Sequence, residues 1–189
     1  METARRDTRR MVLLSMFVAI IAAMTFVPYT GFIAYGGVSI TTLHVPVIIA
    51  IIKLGTRDGF IVATAFGVLA FVRALTSAPT WGVIPFMNPM VSVLPRMLMG
   101  ILTAMLAVWL AKFFTNRTAY YAVVAFIGTS LNTVFVLIAL SIFWSSTLGE
   151  TIVTIFSVII SINWALEASL AVLVVPGVCK ALDRLSIHS

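Results

Sequence analysis

The chain is 189 residues long, 61% hydrophobic and only 10% charged, where a soluble domain carries about 25% charged residues. Its mean hydropathy is +1.15, which leaves no room for a water-exposed domain beside the apolar segments. The net charge of +6 comes from basic residues scattered between apolar runs rather than gathered in a patch, which argues against nucleic acid as a partner.

A helix that crosses a bilayer takes about 20 apolar residues. The chain is therefore expected to be an all-α integral membrane protein, one domain over 1–189, with six transmembrane helices. A basic stretch, Arg5, Arg6, Arg9 and Arg10, leads into the first apolar run, Met11–Val27. No cleavage site is evident, so this run reads as a span rather than a signal peptide. Along it Ser15, Ala19 and Ala23 recur every four residues. Such a line of small side chains lets another helix approach closely, either inside the bundle or on a partner protein.

The second and third spans, Val45–Leu54 and Phe60–Leu75, are weaker; one carries Lys53 and the other Arg73. They read as a helical hairpin turned at Leu54-Gly55-Thr56-Arg57-Asp58-Gly59. Val91–Ala111, Tyr120–Phe143 and Ile152–Val175 are long, apolar and nearly free of charge. With both termini in the cytoplasm, the inner segments hold ten of the twelve basic residues, and the outer segments near 28–43, 76–90 and 144–151 hold none. That is the asymmetry of the positive-inside rule, and it predicts a multi-pass protein of the plasma membrane. The first two outer segments are rich in Gly, Pro and aromatics. They suit either a lid over an outward-facing site or a seat in the headgroup zone.

Arg73 and Arg96 are the two basic residues that orientation leaves over. A charge at the centre of a span costs about 2.5–3.5 kcal/mol on insertion measurements. Arg96 follows Pro95, which frees a backbone carbonyl and is expected to kink the helix. The guanidinium is expected to fork onto a carboxylate in the bundle interior, to pair with Glu167, or to snorkel outward. Arg73, nearer the outer water, is read as snorkelling. Asn132, mid-span, reads a ligand amide or hydroxyl, or bonds a neighbouring helix. Asn163 and Glu167 lie four apart on one helix face beside Trp164, and Glu167 serves either as the partner of Arg96 or as a ligand group. Thr41, Thr42 and His44 open the second span on the same side as Arg96.

Chemistry that is missing narrows the function. There is no G-x-x-x-x-G-K-[ST] loop, no H-E-x-x-H and no G-x-S-x-G. Cys179 is the sole cysteine, and the histidines are His44 and His188. No metal, cofactor or catalytic residue is expected, and an intramembrane enzyme or scaffold is the alternative from another class.

On these residues the chain resembles the substrate-binding S components of energy-coupling factor (ECF) vitamin transporters of bacteria. The six spans, the basic start and the Ser15/Ala19/Ala23 line match that group over essentially the whole chain. It is most similar to the pantothenate-type branch, through Ile40-Thr41-Thr42-Leu43-His44-Val45-Pro46, Asn88-Pro89, Leu94-Pro95-Arg96 and Gly128-Thr129-Ser130-Leu131-Asn132-Thr133. The Gly-Pro turn usual in the family after the second span reads Gly55-Thr56 here.

The resemblance implies a transmembrane T component that docks on Ser15, Ala19 and Ala23, and two ABC-type ATPase subunits that supply the ATP hydrolysis. It also implies a pantothenate pocket in the outer half, roofed by the first and third outer segments. The residues offered to such a ligand are Arg96, Asn132, His44, Thr42, Asn88, Asn163 and Glu167, with Trp81, Phe86 and Trp164 as aromatic walls. Another small vitamin or precursor, such as a hydroxymethylpyrimidine, pyridoxine or riboflavin-like compound, is the alternative ligand.

Overall fold

The computed structural model describes the backbone of all but residues 1, 28–29, 36–37, 80–82, 149 and 188–189, and the side chains of residues 8–27, 30–31, 41–79, 83–143 and 163–184. The helices are α1 (Glu2–Phe26), α2 (His44–Leu54), α3 (Thr56–Thr76), α4 (Pro89–Ser92), α5 (Leu94–Leu110), α6 (Arg117–Leu148) and α7 (Glu150–Ile187). Counting α4 and α5 as one segment, five of them are long and apolar enough to cross a membrane. The sixth, α2, has eleven residues. At about 1.5 Å per residue it covers about half of a ~30 Å hydrocarbon layer.

Between α1 and α2 the chain forms a feature that the sequence reading did not anticipate. Strands β1 (Phe32–Tyr35) and β2 (Val38–Thr41) pair antiparallel, Phe32 opposite Thr41 and Tyr35 opposite Val38. Backbone polar groups at membrane depth must be satisfied within the protein. The ladder pairs the facing half of the hairpin's backbone groups, and two further bonds secure its base. Thr42 N–H donates to Gly31 O at 3.0 Å, and Thr41 N–H donates to Glu167 Oε1 on α7 at 2.6 Å.

Two further expectations are corrected. The outer connection expected at 144–151 is narrower, since α6 runs to Leu148 and α7 starts at Glu150. The last span does not stop at Val175 but continues with Pro176 inside the helix. The break expected near Pro95 is present as the α4–α5 junction at Val93.

The helices share a core in which α2 is central, with eight of its eleven residues buried. Missing side chains allow the closest contacts. A Cβ on Gly100 would lie 2.4 Å from that of Ala63, and one on Gly128 would lie 2.9 Å from the side chain of Ile48. One end of the bundle is tied by charge. Arg10 of α1 forks onto Asp58 at the start of α3, with Nη2 to Oδ1 at 2.6 Å. Lys53 at the end of α2 bonds Asp183 near the end of α7 at 2.6 Å, and Tyr121 at the start of α6 donates to the same carboxylate at 2.6 Å. We call this the inner end, after the distribution of basic residues. The N-terminal helix and the C-terminal helix both reach it, as an even number of crossings requires.

Candidate functional site

Pro95 has no N–H, so the carbonyl four residues earlier, that of Val91, loses its helical donor. The next residue supplies the replacement: Arg96 Nη1 donates to Val91 O at 2.8 Å. The guanidinium is thereby held in the α4–α5 elbow, 5.5 Å from the ring centre of Phe66 and 5.2 Å from that of Phe86. Both rings are within the range of cation–π attraction. Asn88 starts the elbow by accepting from Met90 N–H at 2.9 Å, an N-cap followed by Pro89 at the first helical position. Gly67 of α3 lets the elbow close in, since a Cβ there would sit 3.0 Å from Val93 Cα.

Arg96 is 5% exposed, yet its Nε has no hydrogen-bond partner among the described residues. Buried polar atoms are nearly always bonded, so an unpartnered donor on a buried cation marks a place meant for something else. Glu167 does not fill it. It interacts with Arg96 electrostatically, but the two make no direct ion pair, and its Oε1 is occupied by Thr41 N–H.

More buried polar groups lack partners. Both ring nitrogens of fully buried His44, Oδ1 of Asn132, Oγ of Ser92 and Oγ1 of Thr103 have no hydrogen-bond partner among the described residues. The Thr41 backbone lies beside the His44 ring without reaching hydrogen-bond geometry. Helix arithmetic brings these groups together. Helices α2 and α6 are antiparallel, because Lys53 and Tyr121 meet at the inner end, and they touch at Ile48 and Gly128. One turn outward from that contact stand His44 on α2 and Asn132 on α6. Thr103 of α5 touches the same contact, its Cγ2 3.2 Å from where a Gly128 Cβ would be.

The remaining expected residues divide. Phe86 joins the group through Arg96. Thr42 is used by the fold, since its hydroxyl donates to Thr30 O at 3.0 Å and clasps the base of the hairpin. Asn88 spends its carbonyl oxygen as the cap and keeps its amide hydrogens. Trp164 stands apart from the cluster. Its Nε1 donates to Ser130 Oγ at 3.1 Å and its ring packs edge-on to Phe126, on the side of α6 opposite Asn132 two residues on. Asn163 is half-buried and is not brought against Arg96 by any bond among the described residues. Trp81 lies outside the described residues. Ser92 and Thr103 are additions that the sequence reading passed over.

Ser15, Ala19 and Ala23 all lie on the exposed face of α1, alongside Val12, Met16 and Ile20 at 60%, 45% and 40% exposure, while Phe17, Ile21 and Thr25 face the core.

Residues 9–179 match the family model described as "ECF transporter, substrate-specific component". The pantothenic acid transporter PanT of Lactococcus lactis subsp. cremoris is 31% identical over 157 residues, covering 76% of this chain and 78% of the relative. The pantothenate transporter PanT of Leuconostoc mesenteroides is 31% identical over 137 residues, covering 69% and 67%. Among solved structures, the S-component for biotin from an ECF-type ABC transporter superposes with a TM-score of 0.62, covering 93% of each chain at 20% identity, which speaks for the fold.

Proposed function

The chain belongs to the substrate-specific components of ECF transporters, and we propose that the ligand it captures is pantothenate. It is a multi-pass protein of the bacterial plasma membrane and a transporter subunit rather than an enzyme. The observation that carries the ligand is Arg96, a buried guanidinium with one arm fixed on Val91 O and its Nε without a partner. A carboxylate accepts from such a fork with two oxygens at once. Pantothenate supplies that carboxylate, together with an amide, two hydroxyls and a gem-dimethyl group for the polar and apolar walls. The names of the relatives at 31% identity point to the same compound.

In this reading the termini lie in the cytoplasm and the pocket opens outward beside the β1–β2 hairpin. A transmembrane T component docks on the Ser15/Ala19/Ala23 face of α1, and two ATPase subunits drive release. Mass spectrometry of the small molecule that co-purifies with the detergent-solubilised chain tests the ligand. Pantothenate is the expected mass; a different vitamin at stoichiometric amount would overturn the assignment.

A further inference from the structure

Hydroxyls inside helical spans normally bond the carbonyl one turn back. Here Thr25 bonds Ile21 O at 2.6 Å, Thr64 bonds Phe60 O at 2.9 Å, Thr129 bonds Ala125 O at 2.9 Å and Ser169 bonds Ala165 O at 2.7 Å. Ser92 and Thr103 break this habit. Both are 0% exposed, and neither hydroxyl has a partner among the described residues. Leaving such a group buried and unbonded is unfavourable, and a ligand group would recover the loss.

The two hydroxyls bracket Arg96. Ser92 is four residues before it, in the elbow. Thr103 is seven residues after it on the same face of α5, about 10 Å deeper at 1.5 Å per residue. Side chains on a helix lean toward its N-terminus. The Arg96 head therefore rises to the level of Val91, as its bond to Val91 O records. Asn132, on the oppositely running α6, leans inward toward the Thr103 level. The unpartnered groups thus form two tiers. Arg96 and Ser92 make an outer tier with a positive charge, Thr103 and Asn132 make an uncharged polar inner tier, and the His44 ring, which leans outward from α2, lies between them.

We propose that the ligand lies lengthwise along α5, its carboxylate outermost on Arg96 and Ser92 and its hydroxyl-bearing end innermost, with Thr103 the specificity-determining hydroxyl on the pocket floor. The proposal rests on the pantothenate reading above and adds the direction in which the molecule is held. A ligand with two anionic ends, or one too short to reach both tiers, leaves a tier unbonded and is rejected.

Two analogues of pantothenate and three variants test it by calorimetry on the purified chain. Panthenol replaces the carboxylate of pantothenate with an alcohol; a second analogue lacks the terminal hydroxyl. Thr103→Val keeps the shape and removes the hydroxyl. It is expected to weaken pantothenate and panthenol by the same factor, about tenfold, while binding the deoxy analogue as well as wild type does. Arg96→Ala is expected to bind pantothenate and panthenol alike, abolishing the wild-type preference. Thr103→Ser, which retains the hydroxyl, keeps wild-type affinity and separates loss of the bond from loss of packing. The wild-type comparison of pantothenate with its deoxy analogue needs no variant and should itself show about a tenfold loss. Wild type that binds pantothenate while Thr103→Val is unchanged, or that binds the deoxy analogue equally well, overturns the orientation alone. Wild type that binds no pantothenate overturns the ligand assignment and the orientation with it.

Discussion

Pro95 and Arg96 act as a unit. The proline deprives Val91 O of its donor and the arginine supplies one, so a single side chain closes the elbow with one arm while its Nε has no partner among the described residues. Lysine cannot do both, because its ammonium is a point charge without the planar fork. Arg96→Lys is therefore expected to weaken pantothenate binding roughly 30-fold, about 2 kcal/mol, in a calorimetric titration, with the chain still folded; unchanged affinity would remove the fork from the mechanism. Arg96 was legible in the sequence because a charge in a span demands a reason. Asn132 and His44 were legible for the same reason in weaker form. Ser92 and Thr103 were not, since hydroxyls are common in spans and what distinguishes these two is a helix-backbone bond they do not make. That absence exists only in three dimensions.

At the level of helices and strands, α2 and α1 carry the consequences. Helix α2 is too short to cross, and the β1–β2 hairpin continues the chain outward and hangs on Glu167. The signal for the hairpin was present: Gly36-Gly37 between apolar, β-prone runs is the signature of a two-residue connection. It was passed over because the segment sits between spans, where a lid or a seat in the headgroup zone was expected. The packing of α5 on α3 depends on Gly100, where a Cβ would collide with Ala63. Gly100→Ala is expected to destabilise by about 1–3 kcal/mol, seen as a lower thermal midpoint of the detergent-solubilised chain. An unchanged midpoint would mean that α3 can recoil freely. Helix α1 presents its small-residue line outward, which is one of the two arrangements that the spacing left open. Replacing Ala19 by Trp is expected to abolish co-purification of a transmembrane partner while pantothenate binding survives, since Ala19 faces away from the core.

The molecule as a whole is polarised. The inner end is knit by Arg10–Asp58 and by Lys53–Asp183–Tyr121, whereas the opposite half holds buried polar groups without partners. The count of basic residues foresaw which ends lie together, because an even number of spans and a one-sided charge distribution are properties of the whole chain. It did not foresee which acidic groups would meet them, since Asp58 and Asp183 find their partners across 48 and 130 residues. In a Cys179→Ser background, a membrane-impermeant maleimide added to intact cells should label Ala78→Cys and spare Thr115→Cys; the reverse pattern would invert the topology and move the pocket to the cytoplasmic side.

The most direct measurement is a calorimetric titration of pantothenate into the purified wild-type chain and into Arg96→Ala. Saturable one-to-one binding by wild type, weakened by roughly 2–5 kcal/mol in the variant, is the expected result. An absence of pantothenate binding by wild type, or equal affinity in the two proteins, would contradict a carboxylate-reading site at the α4–α5 elbow.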